Sequence, residues 1–270
     1  MDFNFNEWLE LILRWAHVFA GIMWVGATFY FTWLDGRFTE LEKKASDGTD
    51  AEKFVWMVHS GGFYQVEKQK RPKLMPSTLH WFRWEAALTW LTGFLLFAYM
   101  YYHGPYLVSS EDSLISKGAA IGLSLGMLIA GWVAYDLVWR FCKQEMLGMV
   151  ICYALIVGAA WVACHYFTGR GAYLQVGAMM GTIMAANVWM GILPAQRRMV
   201  AALKEGREPD LTEGARAKAR SKHNTFIVIP VVFTMISNHY PGTYGSKYNW
   251  LILSTLVLVG WVAAKIIRRA

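Results

Sequence analysis

Seven long apolar runs, set apart by polar stretches, constrain this chain more than any other feature. They extend over Trp8–Trp33, His80–Tyr102, Leu114–Val138, Met146–Phe167, Ala172–Pro194, His223–His239 and Asn249–Ile267. Each holds roughly 17–26 residues, and an α-helix needs about 20 to cross the ~30 Å hydrocarbon core of a bilayer. Hydrocarbon offers no hydrogen bonds to the backbone, so runs of this length are expected as helices that satisfy their own N–H and C=O groups. The expected fold class is all-α: a polytopic membrane helical bundle of about seven transmembrane helices, with residues 1–270 forming a single transmembrane domain. Pro230 falls inside the sixth run, where a kink is expected.

The basic residues give the bundle a direction. Eight Lys and Arg fall between Arg37 and Lys73, and eight more between Arg197 and Lys222. Arg140 and Lys143 follow the third run, and Lys265, Arg268 and Arg269 end the chain. With seven spans, all of these lie on one side, and only Lys117, Arg170 and Lys247 lie near the other. Positive loops stay in the cytoplasm, so the N-terminus is expected outside, the C-terminus inside, and segments 35–79 and 195–222 as cytoplasmic loops. The expected location is a bacterial inner (cytoplasmic) membrane, with the lipid bilayer as the chain's first partner. Met1–Glu10 has no basic n-region, so no cleavable signal peptide is expected.

Composition agrees. Apolar residues make up 56% of the chain and charged residues 17%, against about a quarter charged in soluble domains. The 14 Trp and 13 Tyr suit a protein with many membrane–water interfaces. The net charge of +7 is spread through alternate loops rather than gathered in a groove, which argues against a nucleic-acid partner. Cys142, Cys152 and Cys164 form no CxxC, which excludes a thiolate zinc knuckle, and no CxxCH, which excludes a covalent c-type haem on this chain.

The 35–79 segment is too long for a passive connector. Glu40–Lys44 and Ala51–Val58 are expected as short surface helices, and Ala201–Lys222 as a hairpin or helix. Gly118, Gly122, Gly126, Ala130 and Ala134 recur every four residues on one face of the third run. Such a stripe serves close helix packing or leaves room for a flat cofactor.

Ionisable groups inside spans are functional candidates. His17 lies near mid-membrane, on a face with Gly21, Trp24 and Thr28. His80 and His223 open the second and sixth runs, and His239 closes the sixth. His103 and His165 lie at the outer ends of their runs. Haem b needs imidazoles projecting from neighbouring helices, so His17, His80, His223 and His239 are candidate iron ligands, their pairing open. His59, in the run His59-Ser60-Gly61-Gly62-Phe63-Tyr64, joins His80 and His223 as a candidate cluster for acid–base work. Arg83 is a candidate partner for an anionic substrate, or a snorkelling interfacial cation. Glu85 and Asn224 complete the catalytic candidates. Glu85 reads equally as an interhelical ion pair, and Asp136 as a structural charge at a helix end.

The stretches Trp15–Gly26, Leu79–Ala86, Ser221–Asn224 and Ser237–Pro241, with the His59–Tyr64 loop, resemble the membrane-bound urate oxidase (urate hydroxylase) family of bacteria. The resemblance runs from the first span through the sixth. It implies oxidation of urate, or a similar purine, to 5-hydroxyisourate, with electrons passed to a cytochrome c or a respiratory chain. Better-known members append a cytochrome c domain after the helical one, and the chain ends at Ala270 without it. The expectation is therefore an oxidoreductase of the purine-catabolic type that hands electrons to a separate cytochrome c or other electron-transfer subunit. The alternative is a non-catalytic anchor or haem-bearing subunit of a larger electron-transfer complex.

Overall fold

The computed structural model describes residues 4–46, 53–69, 72, 76, 78–109 and 113–268. The first helix, α1, covers Phe5–Ser46, 42 residues. At 1.5 Å per residue this is ~63 Å, about twice the hydrocarbon thickness. No Pro interrupts it, and Arg37 and Glu40 pair one turn apart at 3.2 Å. The helix therefore continues through Glu40–Lys44, which are its last turns and not a separate surface helix.

A second correction follows directly. The expected helix over Ala51–Val58 is a strand: β1 (Phe54–His59) pairs antiparallel with β2 (Gly62–Glu67), His59 facing Gly62 across the turn. Ala51 and Glu52 lie outside the described residues. The run Phe-Val-Trp-Met-Val is β-branched and aromatic, which favours a pleated strand. Ser60 and Gly61 take φ of 49° and 76°, the left-handed pair that a two-residue hairpin turn needs. Val55 is buried with Leu34 and Phe38 of α1, Met57 and Val66 pack beside them, and Lys68 pairs with Asp35. The hairpin thus lies along the second half of α1. Its outer side leaves Trp56, Val58 and Phe63 exposed.

The other described elements are helices. α2 (Trp84–Phe97) passes into a π-helix, Ala98–His103, and runs against α1. α3 (Lys117–Phe141) and α4 (Glu145–Tyr166) follow. α5 (Gly169–Ala186) continues through a second π-helix, Asn187–Ile192, into α6 (Leu193–Lys204). α7 (Leu211–Ile236) reads unbroken through Pro230 to a 3-10 turn at Ser237–His239. Short α8 (Pro241–Tyr244) leads to α9 (Asn249–Ile267). Segment 195–222 is thus mostly the helical hairpin of α6 and the start of α7. α5 is the axis of the bundle: most of its residues are buried, and α3, α4 and α7 pack around it. Its approach to α7 requires glycine, since a Cβ on Gly177 would sit 2.1 Å from Thr234 Oγ1. Pro230 of α7 meets Gly260 of α9 in the same way, 2.8 Å from where a Cβ would stand.

Among the described residues, five helical stretches are long and apolar enough to cross a membrane: Phe5–Ala45, Lys117–Phe141, Glu145–Tyr166, Gly169–Lys204 and Asn249–Ile267. The helix ends are knitted by polar contacts. At one end Arg220 of α7 reaches Asp136 of α3 at 2.7 Å, Lys222 pairs with Glu145 of α4, and Lys218 meets Asp35 of α1 at 2.9 Å. This is the basic end. At the other, Arg170 donates to Asn238 at 2.9 Å and Tyr173 to the Asn249 carbonyl at 2.8 Å. The small-residue stripe of α3 does not serve close packing against another described helix along most of its length. Nothing lies within 4 Å of a Cβ at Gly118, Gly122 or Gly126, while Ala130 and Ala134 line a cavity.

Candidate functional site

The basic end holds a connected polar network inside the apolar bundle. Asn187 stands at the first position of the second π-helix, only 2% exposed. Insertion of an extra residue per turn is a common device for turning a side chain into a functional space. Its Nδ2 donates to Tyr135 Oη at 3.0 Å and to Asn224 Oδ1 at 2.9 Å. Asn224 Nδ2 donates to the Met184 carbonyl at 3.0 Å. Arg220 donates to Asn187 Oδ1 at 3.4 Å and to Asp136, and its guanidinium lies 4.9 Å from the centre of the Tyr135 ring. Asp136 is held on its other oxygen by Arg140 at 2.5 Å. Tyr135 Oη lies 2.7 Å from His223 Nδ1, and the His223 ring tilts against Trp139 at 4.1 Å.

Two groups at the ends of this network fix the direction of its amide bonds. Arg220 has only donors, and the Met184 carbonyl can only accept. Asn187 must therefore accept from Arg220 with its oxygen and donate with its nitrogen, to both Asn224 and Tyr135. Tyr135 oxygen accepts that bond; were it to accept from His223 Nδ1–H as well, its own buried hydroxyl hydrogen would have no acceptor among the described residues, so that hydrogen goes to His223 Nδ1. The neutral imidazole then carries its own hydrogen on Nε2. This tautomer is assigned from the network. The arrangement presents an N–H donor that no described residue accepts.

His223 lines a cavity of about 680 Å³ bounded by α3, α4, α5, α7 and α9. That volume lies within the ~300–1,000 Å³ typical of small-molecule sites. At the basic end its wall carries Tyr135, Trp139, Glu145, Lys222, Lys265 and Arg268. Lys265 has no ion-pair partner among the described residues. Deeper, the wall is apolar, with Met127, Ile156, Ala159, Val162 and Met179. The site therefore offers positive charge at the mouth, one oriented donor beside it, and an apolar interior.

Of the residues expected from sequence, the structure brings His223 and Asn224 into this network. The others lie elsewhere. His59 is exposed at the hairpin turn and bonds Ser60 at 2.9 Å. His80 is exposed, its ring 4.5 Å from that of Phe82. His239 is exposed in the 3-10 turn. Arg83 lies over Trp84 at 5.4 Å, and Trp84 meets Trp189 of the second π-helix edge-on at 6.2 Å. Glu85, in the first turn of α2, has a buried Oε2 without a hydrogen bond. No hydrogen bond or ring contact joins His59, His80 and His223.

Haem ligation can be tested on the same tautomer logic. An iron ligand needs a bare imidazole nitrogen, usually Nε2, with Nδ1–H held by an acceptor. His17 has that form: Nδ1 lies 2.9 Å from the Thr89 carbonyl, which can only accept. Its ring rests against α2 where only glycine fits, since a Cβ on Gly93 would stand 2.6 Å from His17 Cε1. His223 has the opposite form, with hydrogen on Nε2. His80 and His239 have no buried partner to orient them. No hydrogen bond or ring contact joins any two of the four, and among the described residues no group of three or more His, Cys, Asp or Glu is placed to hold a metal ion. His17 thus presents the free nitrogen that a haem iron needs, and His223 as oriented does not.

Tyr135, Asn187, Arg220 and Trp139 were not among the sequence candidates. Asn187 carried a readable signal, an amide within an apolar run. Tyr135 and Trp139 carried none, because aromatic residues fill every run. Residues 4–269 match the urate oxidase N-terminal family. Neither a curated protein nor a solved structure matches the chain.

Proposed function

The chain belongs to the urate oxidase N-terminal family, and from that premise we propose a membrane-bound oxidoreductase that oxidises urate, or a closely similar planar purine, at the basic end of the bundle. The observation that carries this reading is the His223 N–H donor, oriented through Tyr135, Asn187 and Arg220, beside the cationic mouth of the cavity. Urate is a flat anion at neutral pH, edged with carbonyl oxygens. Lys222, Lys265 and Arg268 draw it into the mouth. His223 Nε2–H donates to a carbonyl oxygen, and holds negative charge there without reorganising, because its tautomer is already set.

Oxidation to 5-hydroxyisourate consumes urate and one whole water and releases two electrons and two protons. Glu145, on the cavity wall, is a carboxylate able to pass released protons outward. The electrons go to a cytochrome c or another carrier of a respiratory chain. Haem b, when bound, supplies a one-electron relay, and His17 Nε2 is the nitrogen that would hold it. The bundle crosses a bacterial inner membrane seven times, N-terminus outside and basic end in the cytoplasm. The positive residues gathered at that end support this orientation.

The test is urate-dependent reduction of added cytochrome c by membranes carrying the protein. His223→Phe is expected to lower the rate by about 10²-fold or more, the usual worth of a positioned proton donor. His80→Ala, outside the network, is expected to keep most of it. Absence of urate-dependent reduction with every acceptor tried sinks the proposal.

A further inference from the structure

We propose that the deep half of the cavity binds a lipid-soluble quinone, which takes the electrons that urate gives up. This rests on the urate reading of the mouth and names the acceptor for it.

Urate occupies only the polar end of a 680 Å³ space. The remainder is walled by apolar side chains, against which a purine anion would lose its hydration without recompense. Two polar groups interrupt that wall, the Cys152 thiol and the Trp261 indole. Trp261 of α9 lines the cavity, and its indole N–H is buried with no acceptor. The contact of Pro230 with Gly260 sets Trp261 level with about residue 229 of α7. That is six residues beyond His223, or ~9 Å along the helix axis. The cavity therefore has donors at its cationic mouth, where the Trp139 indole N–H, also without an acceptor among the described residues, lies beside His223, and a separate one, Trp261, in its apolar depth.

The deep donor asks for an acceptor oxygen on an otherwise apolar body. An acyl chain has no such oxygen at that depth. A quinone has a flat apolar ring, carbonyl oxygens and an isoprenoid tail. The tail has a way in: Ala130 of α3 and Leu155 of α4 both line the cavity and are both exposed on the outer surface of the bundle. The gap between α3 and α4 thus opens sideways, toward lipid. The chemistry balances. Urate plus water yields 5-hydroxyisourate, two electrons and two protons, and the quinone takes all four to become the quinol.

The protein is purified into nanodiscs, its bound lipids are extracted and identified by mass spectrometry, and a benzoquinone with a ten-carbon tail is titrated while tryptophan fluorescence is followed. Bound quinone and saturable quenching are expected. Trp261→Phe should weaken binding about fivefold, the worth of one hydrogen bond, and Ala159→Trp, which fills the deep half, should abolish it. Val262→Trp, on the outer face, should change neither. Phospholipid alone in the extract, or quenching indifferent to both cavity variants, overturns the proposal. If urate reduces cytochrome c while no quinone binds, the quinone site falls and the urate reading stands. If quinone binds but urate is not oxidised with any acceptor, the urate reading falls and the quinone site stands.

Discussion

Asn187 is the residue on which the site depends. One amide satisfies three partners at once: it accepts from Arg220 and donates to Tyr135 and Asn224, which in turn orient His223 and cap the Met184 carbonyl. In a nearly dry interior, each group left unpaired costs about 1–3 kcal/mol. Asn187→Leu is therefore expected to destabilise the protein by ~1–3 kcal/mol per stranded group, read as earlier thermal unfolding in detergent. It should also free the Tyr135 hydroxyl and blur the His223 tautomer, visible in the imidazole nitrogen shifts by NMR. An unchanged tautomer would detach Asn187 from the site.

Helix ends set the limits of the elements, and their chemistry is testable apart from the membrane. α7 begins at Leu211 because Asp210 caps it, accepting from the Thr212 amide at 2.8 Å. Hydrogen bonding to the side chain and backbone of Thr212 holds the Asp210 carboxyl below its ordinary value of 3.8. A depressed carboxylate adds stability that is present above the unfolded pKa and is lost as pH falls through the lower folded one. Protection of the first-turn amides of α7 against hydrogen exchange should therefore fall as pH drops below about 3.8. Asp210→Asn keeps the cap oxygen and should remove that dependence. The hairpin shows the opposite balance. Its Ser-Gly-Gly turn and β-branched strands are plain in the sequence, yet a long polar segment between apolar runs reads as loop with surface helices. Only the buried seat of Val55 on Leu34 and Phe38 makes a two-stranded unit worth forming, since an isolated hairpin is marginal in water.

For the whole molecule, the basic end unites contacts from α1, α3, α4, α7 and α9, so its charges act together. If those charges set topology, residues 204 and 247 lie on opposite sides of the membrane. After Cys142, Cys152 and Cys164 are replaced, a cysteine at Lys247 should label with an impermeant reagent from outside, and one at Lys204 only after permeabilisation. Labelling of both from the same side overturns the seven-span arrangement. The cavity and its lateral gap are also properties of the whole, built from five helices far apart in the chain.

Hydrophobic length and charge placement act locally and add along the chain, so the helical bundle, its family and the basic residues that end its helices could be read from the sequence alone. His223 and Asn224 stood out there because polar groups next to apolar runs are costly wherever they fold. Tyr135, Asn187 and Arg220 became a site only when α3, the π-turn after α5 and α7 met. A hydrogen-bond network has direction, and that direction exists only once a donor-only guanidinium and an acceptor-only carbonyl stand at its two ends. The opening pattern of seven apolar runs thus fixed what could pack, while the packing decided which of seven histidines faces the cavity with a hydrogen to give.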